Sequence, residues 1–206
     1  MEKSNRILQT IRELFPNASC ELNYNNIYEL LIAVVLSAQT TDKRVNIVTV
    51  DLFKKYPNPY ELSNANYDDV YNIIKSLGLA KTKASNIISL SKELVNKYQS
   101  KVPNTREELQ SLPGVGRKTA NAVLMEGFRI PAIAVDTHVS RVSNRLGLSQ
   151  SDNVKIIEQD LMNQYNENEW YFVHHGLLFF GRYFCTSQNP NCKECKLKDI
   201  CNYKNK

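Results

Sequence analysis

The sequence has no run of apolar residues that approaches the length of a membrane-spanning helix, and its first residues, Met1 to Ser4, are mostly polar. We therefore expect neither a membrane segment nor a secretory signal, and we expect a cytoplasmic protein. The chain also lacks low-complexity tracts, repeats of fixed period and a linker rich in proline and glycine. Hydrophobic residues make up 42% and charged residues 23% of the chain, a composition that excludes a disordered protein.

A strand pattern is missing as well, because no segment alternates apolar and polar residues over the length of a strand. Apolar residues recur instead at helical spacing. They predict a buried central helix from Asn26 to Leu36, a helix from Asp42 to Lys55 and a long helix from Lys81 to Tyr98. Residues 58–64 lack this spacing and are expected to form a loop. The predicted fold class is therefore all-α.

The charge of the chain is only mildly unbalanced. Its formal net charge is +5, which is compatible with a nucleic-acid partner but does not establish one. In a cytoplasmic protein, five cysteines indicate metal ligands or reactive thiols before disulfides. One of them, Cys20, stands apart from the others and is expected to be a buried core thiol.

A tight hairpin is predicted between two helices, residues 104–110 and 118–128. Thr105 and Glu108 form a capping-box pattern at the start of the first helix. The hairpin itself is the stretch Leu112-Pro113-Gly114-Val115-Gly116-Arg117-Lys118-Thr119-Ala120. Its two glycines permit positive φ and close backbone approach, and backbone N–H groups at a helix N-terminus form an anion site that suits a phosphate. An ordinary helix corner without a ligand is the alternative interpretation.

Two residues near this hairpin have the chemistry of a catalytic pair. Lys118 lies in the first turn of a helix, where the dipole disfavours its charge, and partial desolvation would favour the neutral, nucleophilic amine. A surface lysine or a plain phosphate contact is the alternative. Asp136 is predicted to be a helix N-cap, and a carboxylate near an amine could also accept a proton or stabilise developing positive charge.

Four further cysteines lie close together near the end of the chain, with the spacing C-x6-C-x2-C-x5-C: Cys185, Cys192, Cys195 and Cys201. Four thiolates at such spacing can enclose one tetrahedral metal or one cluster, and the spacing alone favours zinc and iron–sulfur about equally. Lys193, Lys196, Lys198 and Arg182 lie between or beside them, and a pinned basic loop suits the phosphate backbone of DNA. A solvated basic tail is the alternative.

The hairpin string resembles the helix-hairpin-helix motif of DNA repair glycosylases, and in particular the endonuclease III family. Val135-Asp136-Thr137-His138 resembles the family's second signature, and the spacing of the last four cysteines is the same as in that family. The resemblance covers nearly the whole chain. It implies two helical lobes with a DNA groove between them: residues 20–130, with the helix-hairpin-helix at about 105–128, and residues 1–19 with 131–206, which carry a cluster at 185–201.

Roles for individual residues also follow from the resemblance. Lys118 matches the lysine that attacks the deoxyribose C1′ and forms a Schiff base, and Asp136 matches the catalytic aspartate. The four cysteines match the ligands of a [4Fe–4S] cluster. Gln39 corresponds to a residue that enters the gap left by an extruded nucleotide, and Leu79 to an apolar wedge. The remaining residues are a pocket pair, Asp42 and His138, and the DNA contacts Leu112, Gly114, Val115, Gly116, Arg117, Lys193 and Lys196.

From the residues alone, a core leucine at position 79, a helix C-cap at Gln39 and helix-start roles for Asp42 and His138 would suffice. The chain also departs from the family pattern in one place. It has Phe180-Gly181-Arg182 where close relatives often have His-Gly-Arg, so a polar role at position 180 is in doubt. The sequence ends soon after the cysteines, and we expect no additional domain for reading 8-oxoguanine.

The implied function is that of a bifunctional DNA N-glycosylase and apurinic/apyrimidinic (AP) lyase of base excision repair. It would bind duplex DNA with a damaged base, an oxidised pyrimidine for preference, or an abasic site, and it would act as a monomer. The alternatives are a monofunctional glycosylase that uses water, a non-catalytic helix-hairpin-helix DNA-binding protein and a zinc-binding DNA adaptor. The damaged base, the opposite-base preference and the relative rates of the two reactions do not follow from the sequence.

Overall fold

The structure is a computed structural model that describes residues 2–203. Within that range it is helical and contains no strand. Eleven α-helices are present in the described chain, in this order: α1 Glu2–Leu14, α2 Ile27–Leu36, α3 Asp42–Lys55, α4 Pro59–Ser63, α5 Tyr67–Ile74, α6 Ala80–Tyr98, α7 Arg106–Ser111, α8 Arg117–Gly127, α9 Thr137–Leu146, α10 Val154–Gln164 and α11 Trp170–Phe179. The all-α prediction is confirmed. In residues 2–203 no helix is both long enough and apolar enough to cross a membrane.

The chain divides into two compact units. The central unit is Glu21–Ile130 and contains α2 to α8. The terminal unit joins Met1–Cys20 to Pro131–Lys206 and contains α1 and α9 to α11. Each unit has its own hydrophobic core, so each can hold its own functional side chains in place.

Helix α2 lies at the centre of the first core. All but the first of its ten residues are buried, as expected for a helix that is apolar on every side. Asn26 caps it by accepting a hydrogen bond from the backbone N–H of Glu29 at 2.9 Å. Helices α3, α6 and α8 contribute buried residues to the same core, among them Leu52, Ile87 and Val123.

The predicted loop at residues 58–64 is wrong, because Pro59–Ser63 forms the short helix α4. Asn58 accepts a hydrogen bond from the backbone N–H of Glu61, and Pro59 occupies the first helical turn, where its missing N–H costs nothing. The helix places Leu62 in the core. Five residues are too few for apolar spacing to be recognised, although the capping residues were visible in the sequence.

Helices α9 and α11 contribute to the core of the terminal unit. Val142 of α9 and Leu177 of α11 are both buried there. The apolar segment from Trp170 to Phe184 forms α11 and then a wider π-helical turn, Phe180–Phe184. The backbone N–H of Cys185 closes this turn on the carbonyl of Phe180 at 2.6 Å. The turn therefore delivers Cys185, the first cysteine of the C-terminal group, at the end of a buried helix.

Candidate functional site

The hairpin between α7 and α8 has the predicted helices on both sides. Thr105 accepts from the backbone N–H of Glu108 at 3.3 Å and donates its hydroxyl to the Glu108 carboxylate at 2.6 Å, so the capping residues do start α7. The chain then turns at Leu112, whose carbonyl accepts from the backbone N–H of Val115 at 3.1 Å. Helix α8 begins at Arg117, with Gly116 as its N-cap.

The two glycines of the hairpin serve different purposes. Gly114 has φ = 79°, and a β-carbon there would lie 2.8 Å from Nδ2 of Asn86. Gly116 has φ = −89° and ψ = 178°, and a β-carbon there would meet nothing within 4 Å. The expectation of positive φ is therefore correct for Gly114 and wrong for Gly116, whose backbone any residue could adopt. The space outside Gly116 is open.

Other predicted contact residues of the hairpin divide by exposure. Leu112 and Val115 are buried in the core of the central unit, so their side chains anchor the hairpin. Lys118 is the second residue of α8, and it is exposed. No acidic residue occupies the first turn of this helix, and Arg117 precedes Lys118. The positive N-terminus of α8 thus carries two cations, an arrangement that favours an anionic ligand.

Five non-glycine residues of the central unit have a positive φ, and two of them, Gln39 and Leu79, are predicted contact residues. Gln39 has φ = 53° and is exposed, and Leu79 has φ = 58° with 56% of its surface exposed. Both local interpretations are therefore wrong: Ser37, not Gln39, caps α2, and Leu79 is not a core residue. Non-glycine residues rarely adopt this conformation, so the exposed Leu79 is a candidate for a functional role.

Asp136 lies in the terminal unit, at the N-terminus of α9. Its Oδ1 accepts from the backbone N–H groups of His138 and Val139, both at 2.9 Å, as predicted for an N-cap. His138 is half-buried in the first turn of the same helix. Asp42 is half-buried at the first position of α3, in the central unit. Lys118 and Asp136 thus belong to different units, and each is positioned by the N-terminus of a helix.

Arginines of α9 connect this helix to the segment that contains Cys185. Nη2 of Arg141 donates to the carbonyl of Gly181 at 2.7 Å and to that of Cys185 at 3.2 Å. Nη1 of Arg145 lies 3.3 Å from Sγ of Cys185 and donates to the carbonyl of Thr186 at 2.7 Å. Sequence reasoning missed both roles, because an arginine on a helix gives no sign of the carbonyl groups that it will meet.

The four cysteines Cys185, Cys192, Cys195 and Cys201 line one cavity of about 440 Å³, together with Phe180 and Phe184. Phe180 is buried, and its ring stacks on that of Phe184 at 5.1 Å, so the departure from the family pattern places an apolar ring against the cysteines. Burial raises the pKa of the Cys195 and Cys201 thiols. Among residues 2–203 no three ligating side chains converge closely enough to hold a single metal ion.

Basic residues around the cysteines are at the surface. Lys193 and Lys198 are exposed, and Lys196 is exposed but forms an ion pair with Glu13 at 3.1 Å. Cys20 is half-buried, so the expectation of a buried core thiol is wrong. It lies where the chain passes from one unit to the other.

The chain is similar in sequence to known proteins of DNA repair. Residues 32–167 match the family model described as the HhH-GPD superfamily of base excision DNA repair proteins. The chain is 49% identical to endonuclease III of Bacillus subtilis strain 168, over 94% of this chain and 89% of that protein. It is 41% identical to endonuclease III of Escherichia coli K12, over 100% of this chain and 99% of that protein.

The fold is similar to that of solved endonuclease III–DNA complexes. A trapped endonuclease III–DNA covalent intermediate superposes with a TM-score of 0.95 at 47% identity, covering 98% of this chain and 95% of that one. A non-covalent endonuclease III–DNA complex gives the same TM-score and identity, with 98% and 94% covered.

The fold and the hairpin thus define a helix-hairpin-helix protein of base excision repair. Within that class, the chain belongs to the endonuclease III family of the HhH-GPD superfamily. It is accordingly a base excision repair enzyme, with DNA glycosylase and AP lyase activity.

Proposed function

We propose that the chain binds duplex DNA that contains a damaged base or an abasic site, and that Lys118 is the nucleophile of its reaction. The observation that carries this proposal is the position of Lys118, on the first turn of α8 directly after a hairpin whose outer face is open at Gly116. A DNA phosphate beside that hairpin would bring the deoxyribose within reach of the lysine. The relatives solved on DNA, one of them as a covalent intermediate, support the same reaction.

The hairpin supplies the phosphate contact. The N-terminal N–H groups of a helix have no partner within the helix, and the dipole makes them attractive to an anion. Gly116 needs neither positive φ nor internal space for its own packing, so a small residue there benefits an external group that approaches the backbone. The cations Arg117, Lys193 and Lys196 add sequence-independent attraction for the backbone.

Gln39 and Leu79 would replace the stacking that is lost when a nucleotide leaves the duplex. Extrusion of a base costs a few kcal/mol, and side chains inserted into the stack repay part of this cost. In the free protein the side chain of Leu79 is exposed and its backbone has a left-handed conformation. Its exposure is explained if Leu79 enters DNA on one strand while Gln39 enters on the other.

The chemistry starts with the Lys118 amine in its neutral form. Nζ attacks C1′, a new C–N bond forms, and the bond from C1′ to the base breaks as the base departs with a proton. Opening of the sugar ring gives an imine between Lys118 and C1′. Loss of a proton from C2′ then expels the 3′ phosphate and nicks the strand by β-elimination. Asp136 would accept the proton of the lysine ammonium and stabilise positive charge on the sugar.

Asp42 and His138 are proposed to line the pocket that receives the extruded base. Both are half-buried in the first turn of a helix, so their side chains are held in place and remain partly accessible. The substrate class is proposed to be oxidised pyrimidines. A water-using monofunctional glycosylase would not need a lysine in this position, and a DNA-binding module without catalysis would need neither Lys118 nor Asp136.

The four cysteines are proposed to hold a [4Fe–4S] cluster. They fit that group, because four thiols line one cavity together with the apolar rings of Phe180 and Phe184, and cysteine thiolates are the usual ligands of such a cluster. With all four ligands supplied by cysteine, a bound cluster contributes structure and not hydrolytic chemistry. Arg141 and Arg145 hold the backbone carbonyls around Cys185, which keeps the loop with Lys193 in one conformation.

Borohydride trapping tests the assignment of Lys118. Duplex DNA with one thymine glycol, and a second duplex with a preformed abasic site, are incubated with wild type, Lys118→Ala and Lys92→Ala in the presence of borohydride. Lys92 is an exposed lysine of α6 and controls for the loss of one charge. We expect a covalent adduct with wild type and Lys92→Ala and none with Lys118→Ala.

Three other outcomes distinguish the alternatives. Base release without any adduct would favour the water-using glycosylase. Adducts on the abasic-site duplex alone would mean that the chemistry is right and the damaged base is wrong. Binding without release or trapping on either duplex would favour a non-catalytic module.

A further inference from the structure

Lys83 is a buried lysine that none of these roles uses. Only 3% of its surface is exposed, and it lies on the inward face of α6 beside Ala80, Ala84 and Ile87. Burial lowers its pKa, because removing an ammonium from water disfavours the charged form. Buried lysines are rare unless a specific partner repays the lost hydration.

The partner of Lys83 is Thr40. Nζ of Lys83 donates to Oγ1 of Thr40 at 2.9 Å, across 43 positions of the sequence. Thr40 lies in the connection between α2 and α3, directly after Gln39, and its own backbone N–H bonds the carbonyl of Ser37 at 3.1 Å. The lysine therefore fastens the short segment that carries Gln39 in its left-handed conformation. We call residues 37–41 the Gln39 segment.

A second contact joins this segment to the turn that carries Leu79. A β-carbon on Gly78 would lie 3.3 Å from the carbonyl oxygen of Gln39 and 3.8 Å from Oγ1 of Thr40. Gly78 is not in the positive-φ region, so the reason for a glycine there is this close approach and not its backbone conformation. We call residues 77–79 the Leu79 turn.

Lys83 is also connected to the Leu79 turn through its own helix. Its backbone N–H donates to the carbonyl of Leu79 at 3.0 Å, which is the first turn of α6. The first turn of α6 thus begins at Leu79 and ends at Lys83, whose ammonium donates a hydrogen bond to Thr40.

We propose that Lys83 is a positioning residue that fastens the Gln39 segment to the Leu79 turn, so that both tips meet DNA as one preformed element. The inference rests on the proposed roles of Gln39 and Leu79 in replacing an extruded nucleotide. Lys83 itself touches neither DNA nor the reacting atoms. Ordering flexible residues on binding costs conformational entropy, so tips that are ordered before binding leave more of the binding energy for base extrusion.

The first test separates extrusion from chemistry. The full chain is compared as wild type, Lys83→Met, Thr40→Val, the double variant, Thr40→Ser and Lys92→Met, the last an exposed charge-matched control on the same helix. Fluorescence of a 2-aminopurine beside a thymine glycol reports extrusion, and borohydride trapping on a preformed abasic site reports chemistry. Thermal denaturation confirms that each variant is folded.

We expect Lys83→Met and Thr40→Val to slow extrusion about tenfold, with at least five times less effect on trapping at the abasic site. Thr40→Val also removes the hydrogen bond from Oγ1 to the carbonyl of Ala38 at 3.4 Å. The double variant should therefore lose no more than Thr40→Val alone, because Lys83→Met removes only a hydrogen bond that Thr40→Val removes too. Thr40→Ser, which keeps the hydroxyl, and Lys92→Met should match wild type. Equal losses in extrusion and trapping, or additive losses in the double variant, would overturn the inference.

The second test needs no activity. Amide hydrogen exchange is measured on free wild type and on Lys83→Met, at the amides of Thr40 and Leu77, both of which donate backbone hydrogen bonds. Faster exchange at both amides, with α10 unchanged, supports the fastening of the two segments. Faster exchange at Thr40 alone, or at neither, overturns it. If wild type traps no DNA at all, the Lys118 proposal fails, while this exchange pattern still decides whether Lys83 joins the two segments.

Discussion

The guanidinium of Arg141 donates to the backbone carbonyl of Gly181 at 2.7 Å, although 40 positions separate the two residues. The same nitrogen lies 3.2 Å from the carbonyl oxygen of Cys185 and 3.3 Å from Nδ1 of His138. Helix α9, which Asp136 caps, is therefore bonded directly to the π-helical turn that ends at Cys185. Within the terminal unit, the proposed catalytic carboxylate and the proposed cluster loop share one support.

Replacement of Arg141 by methionine should destabilise both the N-terminus of α9, which Asp136 caps, and the proposed cluster loop. Two carbonyl groups would lose a charged donor, and hydrogen bonds to charged groups contribute about 1.5–3 kcal/mol, so we expect a loss of about 2 kcal/mol in the free energy of unfolding. Chemical denaturation measures it, with iron bound per chain as a second readout. Arg44→Met, at an exposed position of α3, is the control and should change stability by less than about 0.5 kcal/mol. Equal losses in the two variants would contradict the assignment.

Asp136 can be tested for more than capping by comparing two substitutions. Asn is as good an N-cap as Asp, so Asp136→Asn should unfold at nearly the wild-type temperature, whereas Asp136→Ala loses both bonds to the N–H groups of His138 and Val139 and about 1 kcal/mol. Strand cleavage at an abasic site should fall at least tenfold in both, because both lack the carboxylate. Full cleavage by Asp136→Asn would leave the residue a cap and nothing more.

The two hairpin glycines should respond oppositely to alanine. Gly114→Ala places a β-carbon 2.8 Å from Nδ2 of Asn86 in a left-handed backbone, and we expect a loss of at least about 1–2 kcal/mol of stability. Gly116→Ala meets no neighbour and no backbone strain, so it should leave stability unchanged or raise it by about 0.4–1 kcal/mol.

Affinity for duplex DNA, measured at fixed salt, should nevertheless fall in Gly116→Ala if a phosphate approaches that backbone. Unchanged affinity in a stable Gly116→Ala protein would exclude close approach at this position. Gly147 also has a positive φ, at 68°, but it lies at the C-cap of α9, far from the hairpin in the sequence. Gly147→Ala is therefore the control for backbone strain outside the hairpin.

His138 makes stability depend on pH in a direction that can be stated. Burial lowers the pKa of its imidazole from the usual 6.5, helped by the nearby charges of Arg141 and Arg182 and opposed by Asp136. Below pH 6.5 the unfolded chain therefore binds a proton more readily than the folded chain, and stability falls as the pH falls through the window between 6.5 and the lowered value.

Urea denaturation at about pH 7.5 and about pH 5.5 checks this expectation. His138→Gln removes the imidazole, so it should lose less stability than wild type over the same interval. Identical losses in the two proteins would show that other groups account for the pH dependence.

Most helices could be predicted because their signals are local. Asn26 and Asp136 cap helices at the expected positions, and apolar spacing marks the buried face of α6. The loop expected at residues 58–64 was wrong because one turn of helix is too short to show a period, even with Asn58 and Pro59 at its start.

For Lys83, the buried position could be predicted from the sequence but the hydrogen-bond partner could not. It falls on the same helical face as Ala80, Ala84 and Ile87, so helical spacing could have placed it on the inward side of α6. Its partner Thr40 comes from another connection, and nothing local in either segment indicates that they meet.

Local patterns were enough to predict the all-α class, the hairpin, the cysteine spacing and the candidate residues Lys118 and Asp136, because helix periodicity, caps and ligand spacing all act over a few neighbouring residues. The folded structure was needed to show that Leu79 is exposed, that Gly116 faces open space, that Arg141 and Arg145 hold the cysteine segment and that Lys83 is bonded to Thr40. Those features depend on which distant segments each core brings together. Local periodicity can mark a buried face, but it does not identify the partner that a side chain meets there.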